Sequence, residues 1–431
     1  MSGADRPARV VPLLYFGTAY VSLALACVLA AIWPRAVAGF FYHSWMVAIV
    51  HLITLGWITC SILGALYIVG PVALRMPMPA RRGDYVAYGL VVTGIIGMVA
   101  HFWIEEFGGM AWSAATVTAG ALYVVSRVLA GLRRSSVPAS VKLHIGLACV
   151  NFVAAASAGI LLGFDKVFHF LPGFALSNVF AHAHLAALGW ATMMVMGVAY
   201  RLLPMVLPSR MPTGRSVYAS AMLLESGTLG LFVALVCQSR WTLFFAVVVA
   251  SGLATFIGSV VWMLRSPALK PVDAPRVDFA VLHAAGAGVS LLVAIGLGLA
   301  LVVMPASSSS LRVAAAYGVF GLLGFLAQMV VGMEARLLPL AAWFWVHSGS
   351  ASATEPPSPH RMRDRTLQAI VFLGWTAGVP AVGAGMFLES PLLVGSGAWA
   401  LFASVAIATV DAIGVVTQSM RRPTVSIRPA A

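Results

Sequence analysis

The segment from His51 to Pro71 returns 133 positions later in the chain. His51 falls on His184, Leu55-Gly56-Trp57 on Leu188-Gly189-Trp190, Gly64 on Gly197, Tyr67 on Tyr200 and Pro71 on Pro204, seven identities at one offset. A further shift of 135 lays Leu323-Gly324-Phe325, Gly332, Arg336 and Leu337-Leu338-Pro339 on the same frame, with Val319 where the histidine stood. Self-similarity at a long fixed period marks one supersecondary unit used several times. The chain therefore reads as three related units, 10–135, 136–270 and 271–420, in a single domain spanning 1–431 that ends in a tail at 421–431.

The repeated segment is apolar almost throughout, and so is the rest of the chain. Hydrophobic residues make up 61% and charged residues 9% of the 431, with a mean hydropathy of +0.96. A soluble domain has no means of hiding that much apolar surface from water. A bilayer core of roughly 30 Å needs about 20 apolar residues per helix. Twelve runs qualify, at approximately 10–33, 44–71, 85–107, 109–131, 140–163, 176–204, 217–238, 241–264, 278–304, 312–340, 367–388 and 391–419. Four fall in each unit. The fold class is thus an all-α membrane protein with twelve transmembrane helices as three repeats of four helices, and its first partner is the lipid bilayer.

A net charge of +13 raises the question of a nucleic-acid partner, and the distribution of that charge removes it. With the N-terminus on the cytoplasmic side, 22 of the 26 Lys and Arg residues fall on that side, and only Arg35, Lys166, Arg240 and Arg312 lie across the membrane. This is the positive-inside asymmetry. It predicts a multi-pass protein of a bacterial-type inner (plasma) membrane with both termini cytoplasmic. Cys27, Cys60, Cys149 and Cys237 all lie in apolar runs without metal-type spacing, so no disulfide framework is expected. Arg6 and Arg9 precede a run too long for a signal sequence, which reads as a retained first helix.

The chemistry turns on histidines and carboxylates inside the runs. His51 lies about 10 Å deeper than the interfacial Trp45 at 1.5 Å per residue. His182 and His184 point roughly 200° apart on their helix, so they are poorly placed to clamp one ion but can serve two centres on opposite flanks. Imidazole suits iron, copper and zinc, whereas a lone buried histidine is ordinarily just hydrogen-bonded. His101 ends the third run beside Glu105 and Glu106, which form either a cation site or a solvated rim. Glu225 sits about 12 Å into the membrane. An intramembrane carboxylate is a functional candidate, here for proton conduction or for a structural hydrogen bond, and Asp411 carries less weight. His144 and His283 open the second and third units at matching places, as hydrogen-bonded interface histidines or a pair with a shared role. Met193, Met194, Met196, Met329 and Met333 offer soft ligands or flexible packing. The first helix, with Tyr15 and Tyr20, reads as scaffold. The stretch from Ser348 to Arg365 reads as a flexible loop and the tail after Met420 as disordered.

Twelve helices in three arcs, cytoplasmic termini, a histidine on the second helix and a His-x-His on a repeat-equivalent helix resemble the haem-copper oxidase subunit I superfamily. The Leu-Gly-Trp triplets and the Tyr-Arg-Leu-Leu-Pro of Tyr200 to Pro204 are similar to those of oxidase-like membrane proteins grouped with it. The architectural likeness covers the whole chain, and the motif likeness covers the second, sixth and tenth helices. In that superfamily the histidine of the second helix ligates a low-spin haem, which the resemblance assigns to His51. Its His-x-His lies on the tenth helix, whereas here His182 and His184 are on the sixth and the tenth carries Tyr317 and Val319. Its copper takes one histidine from the sixth helix and an adjacent pair from the seventh, and the seventh here has none. The His-Pro-Glu-Val-Tyr signature is also missing. The paired histidines further resemble those of the NnrS family, twelve-helix proteins with haem and copper that are linked to nitric oxide stress.

The resemblance implies a haem of unknown type, with or without copper, held by His51, His182 and His184, with His101 as a further metal ligand and Glu225 on a proton route. The implied role is respiratory electron transfer or nitric oxide and oxygen metabolism, in an oxidoreductase that lacks the usual copper ligands. No Cys-x-x-Cys-His is present, so electrons would come from cytochrome c or quinol, with oxidase subunits as further partners. Other readings stay open: a haem or copper sensor or assembly factor without turnover, a membrane transporter, or a structural subunit. The runs show no Gly- or Pro-broken helix in mid-membrane, which counts against transport.

Overall fold

The computed structural model describes residues 7–269, 277–347, 358–359 and 362–420. The tail after Met420 and most of the segment from Ser348 to Arg361 lie outside them. Twelve helices are long and apolar enough to cross a membrane. They are α1 (Val10–Ile32), α2 (Ser44–Val72), α3 (Arg82–Trp103), α4 (Phe107–Arg134), α5 (Ala139–Phe168) and α6 (Ala175–Val206), then α7 (Arg215–Val236), α8 (Thr242–Leu264), α9 (Phe279–Val303), α10 (Ser308–His347), α11 (Arg365–Phe387) and α12 (Pro391–Met420). No strand occurs among the described residues. Lipid offers no hydrogen bonds, so each span must satisfy its own backbone, and the helix does so within one segment.

The helices match the apolar runs to within a few residues at most ends, and α10 departs furthest. It continues past Pro339 to His347, where the run ends near residue 340. Proline removes one helical hydrogen bond and usually closes a helix, but here the continuation is packed. Ala341 and Ala342 are fully buried, and the Trp345 indole donates to the Pro7 carbonyl at 3.2 Å.

Helices α3 and α4, α7 and α8, and α11 and α12 pack as neighbouring antiparallel pairs, and α12 returns to α1. At the centre stand α2, α6 and α10, the most buried of the twelve. Each is interrupted by eight residues of π-helix, Leu52–Thr59, Leu185–Thr192 and Phe320–Ala327. These segments start 133 and 135 residues apart, the same shifts that align the sequence motif. The amides of Cys60, Met193 and Gln328 reach back five residues, to the carbonyls of Leu55, Leu188 and Leu323. The central helices are therefore not regular in mid-membrane, contrary to the uniform helices expected from their composition. Leu-Ile-Thr-Leu-Gly-Trp-Ile-Thr has no proline, its one weak helix former is Gly56, and the glycine is also where a neighbouring helix packs closely.

Each π segment carries a glycine against which a neighbouring helix presses. A Cβ at Gly189 would lie 2.8 Å from Asn151 Cγ of α5, one at Gly324 would lie 2.6 Å from Ser290 Oγ of α9, and one at Gly56 would run into Ser22 of α1. The tryptophans then tie the central helices together. The Trp190 indole of α6 donates to Thr59 Oγ1 of α2 at 3.2 Å, and that of Trp57 on α2 donates to the Ala327 carbonyl of α10 at 3.4 Å.

A buried ion pair braces α2, α3 and α4. Asp84 of α3 is fully buried and takes hydrogen bonds from Arg127 of α4 and, at 2.7 Å, from Tyr67 of α2. Removing one partner of a buried pair leaves the other charge uncompensated, at a cost of about 3–5 kcal/mol. Asp84→Ala should therefore lower the thermal midpoint of the detergent-solubilised protein well below that of Asp165→Ala. Equal midpoints would show that the pair contributes no stability.

Candidate functional site

His51 is the last α-helical residue before the first π segment. Its Nδ1 donates to the Val47 carbonyl at 2.8 Å, and its ring lies 5.1 Å from that of Phe102 on α3. A carbonyl can only accept, so this bond places the proton on Nδ1 and leaves the Nε2 lone pair free in the neutral ring. His182 is held in the same manner from a different source: its Nδ1 donates to the Ala155 carbonyl of α5 at 3.0 Å. Gly159, one turn further along α5, makes room for that ring, since a Cβ there would stand 2.9 Å from His182 Cε1. His51 and His182 lie within electrostatic reach of each other. The site thus takes one imidazole from α2 and one from α6, each with Nδ1 fixed by backbone and Nε2 unspent.

His184 faces elsewhere, as its angular offset from His182 requires. Its Nδ1 donates to Phe180 at 2.7 Å, and its Nε2 accepts from the Tyr317 hydroxyl of α10 at 3.1 Å, with the two rings stacked 5.8 Å apart. Tyr317 stands 135 residues after His182, so the tenth helix answers the sixth with a phenol at the frame position of an imidazole. The expectation of two separate flanks matches the geometry.

The remaining candidates are engaged in local structure. His101 Nδ1 donates to the Gly97 carbonyl at 2.6 Å, with Ser113 Oγ at 3.3 Å, and its Nε2 lies 3.7 Å from Glu106. That ring turns toward α4 and not toward His51. Glu106 caps α4 by accepting from the Gly109 amide at 2.6 Å, and Glu105 sits in a left-handed turn with φ 59°. Glu225 accepts from Asn151 Nδ2 at 2.6 Å. His144 is bonded at both nitrogens, to the Ser140 carbonyl and to Ser220 Oγ, whereas His283 Nδ1 is buried without a partner. The two histidines therefore do not share one hydrogen-bonding role. Among the described residues no group of three or more His, Cys, Asp or Glu is arranged to hold a metal.

These residues suit a ligand that needs one strong nitrogen donor on each of two faces. A haem iron makes that demand, and fixing Nδ1 to backbone is the device that orients a metal-binding imidazole and raises its basicity. His51 and His182 have donor atoms of the kind such a group uses. A copper centre of three histidines has no comparable set here.

Sequence reasoning passed over Gly159 and gave Tyr317 no role, although the 135-residue offset already pointed to Tyr317. It also passed over Glu334 and Arg363. Glu334 lies on a helix that runs on past Pro339, and the Arg363 side chain is only 6% exposed and donates to Asp411 Oδ2 at 2.9 Å. Tyr20, read as scaffold, faces Glu334. The chain matches no family model and no curated protein.

Nitrogen NMR of the histidine-labelled, ligand-free protein should show His51, His182 and His184 as Nδ1–H tautomers, with Tyr317→Phe moving the His184 signal alone. Nε2–H tautomers at His51 or His182 would remove the free donor atoms on which the site rests.

Proposed function

We propose that the protein is a haem-binding integral membrane protein of the oxidase subunit I type, in which His51 and His182 would hold the haem. The observation that carries this is the pair of imidazoles on α2 and α6, each holding its Nδ1 proton on a backbone carbonyl and presenting Nε2. Haem, when bound, supplies a one-electron redox couple. The chain's own contribution is orientation: the Val47 and Ala155 carbonyls fix the ring tautomers, Gly159 leaves space for one ring, and Phe102 packs beside the other. His184 and Tyr317 form a second polar locus on the opposite flank of α6, with the Tyr317 hydroxyl donating to His184 Nε2.

The reading favours electron transfer or gas binding over oxygen reduction with copper, because the described residues hold no three-ligand set. It includes three copies of one four-helix unit, supported by the spacing of the π segments and by the matched glycine contacts from α1, α5 and α9. It also places the arginine-rich face in the cytoplasm of a bacterial-type cell, on the charge asymmetry of the loops. Cytochrome c or quinol would be the electron donor.

The optical spectrum of protein purified from haem-replete cells tests the reading. A Soret band that shifts on dithionite reduction is expected, lost in His51→Ala and His182→Ala and retained in His184→Ala. Gly159→Leu should also remove it by displacing the His182 ring, whereas Gly146→Leu on the same helix, where a Cβ meets nothing within 4 Å, should not. Colourless wild-type protein would overturn the assignment.

A further inference from the structure

Glu334 of α10 is a carboxylate in the membrane-spanning core. It is 2% exposed, and neither carboxylate oxygen has a hydrogen-bond partner within 3.5 Å. It borders an apolar cavity of about 80 Å³ between α2, α6 and α10, where Met194, Met329 and Met333 also contribute to the wall. Fifteen residues separate Glu334 from Val319, the frame position of His51 and His184, so this cavity lies about 22 Å along the helix from the histidine level at 1.5 Å per residue. It is a different place from the proposed haem site.

The groups around Glu334 decide what it can bind. Tyr20 of α1 and Ser61 of α2 face it, and α6 offers only apolar side chains. The Arg363 guanidinium lies beside it, donating Nη2 to the Glu334 backbone carbonyl at 3.4 Å and Nη1 to Asp411 of α12 at 2.9 Å. Asp411 also accepts from the Asp364 amide at 3.3 Å. His283 of α9 is a further neighbour of Arg363. One arginine thus stands between two carboxylates, and its short contact is with Asp411. An ionised Glu334 would have to share the single Arg363 charge with Asp411, which already holds the short contact, and an incompletely balanced charge in a low-dielectric core costs several kcal/mol. A metal cation would meet the Arg363 charge at close range and find two or three thioethers and one carboxylate. A proton needs no further ligands, and its binding leaves the side chain neutral and the Arg363–Asp411 pair balanced.

A route to this carboxylate exists from the arginine-rich face. A second cavity of about 220 Å³ is lined there by Asp278, Arg336, Arg363, Arg365 and Gln368, and it shares Leu202, Met333 and Leu337 with the wall of the first. Its polar side chains and its volume suit several waters. The partition between the two cavities is therefore a single layer of apolar side chains, Leu202, Met333 and Leu337, and one of them is a flexible methionine.

We propose that Glu334 is a proton-binding site loaded from the arginine-rich face through this vestibule. A hydronium ion there gives its proton to the Glu334 carboxylate and leaves water behind, and the Arg363–Asp411 pair keeps its own charges balanced throughout. Glu225, bonded to Asn151, is a separate carboxylate with its partner already in place. The inference does not depend on haem, and its readouts need none.

Dicyclohexylcarbodiimide, an apolar reagent that adds to protonated carboxyls without a leaving group, tests the site in wild-type protein in liposomes. Peptide mapping should place the adduct on Glu334, with the label lost in Glu334→Gln and kept in Glu225→Gln. The infrared difference between wild type and Glu334→Gln should contain a carboxylic acid C=O band that shifts in deuterium oxide, and Met333→Phe should slow that shift at least several-fold by thickening the partition. Wild-type labelling confined to another carboxyl would overturn the proposal, as would a difference spectrum with carboxylate bands only. A shift unaffected by Met333→Phe would overturn the route. Should Glu334→Gln fail to fold, the wild-type peptide map alone still decides the first point.

Discussion

The rest of the structure depends on the way α2, α6 and α10 meet at their π turns. A π turn inserts extra backbone into a helix and rotates everything beyond it, and such turns concentrate at functional places. Here they do two jobs at once. They bring Trp190 onto Thr59 and Trp57 onto Ala327, which ties α6 to α2 and α2 to α10. They also begin immediately after His51 and His184, so the histidines stand on regular helix just outside the distortion, with Nδ1 bonded to the carbonyl one turn back. In the third helix the tryptophan is replaced by Phe325 and the first-turn histidine by Val319. The third helix keeps the frame of the other two but supplies a phenol in place of the imidazole.

That asymmetry explains why one molecule can separate two kinds of chemistry along its central axis. At the histidine level, donor atoms come from α2 and α6, while α10 contributes Tyr317 to the other flank. Deeper in the membrane the roles reverse. There α2 and α6 offer Ser61 and apolar side chains, and α10 brings Glu334, with Arg363 and Asp411 behind it. The carboxylate is tolerable because the cavity wall is shared by three helices locked together above it.

The membrane architecture was legible from residue types alone, since bilayer thickness and hydropathy leave few alternatives for runs such as Leu291 to Val303. Most helix ends followed too, because Arg, Pro and Gly mark where a span leaves lipid. The end of α10 was not legible: Pro339 is a stop signal by local chemistry, and the burial of Ala341 and Ala342 that overrides it is tertiary. The π turns were hidden for the same reason, since their eight residues have ordinary helical composition and the pressure comes from Ser22, Asn151 and Ser290 on other helices. At the site, the angular argument separated His182 from His184, but no local pattern reveals that the Ala155 carbonyl and Gly159 would receive the His182 ring. Arg363 shows the limit most plainly. Its neighbours in sequence are polar and charged, and its partners Glu334 and Asp411 lie 29 and 48 residues away.

The central claim is that α2 and α6 hold a shared ligand between His51 and His182. An electron cryo-microscopy map of the protein purified from haem-replete cells tests it most directly. The account predicts planar density between these two side chains, continuous with both imidazoles at Nε2. Imidazoles packed directly against protein atoms, with no density between them, would contradict it.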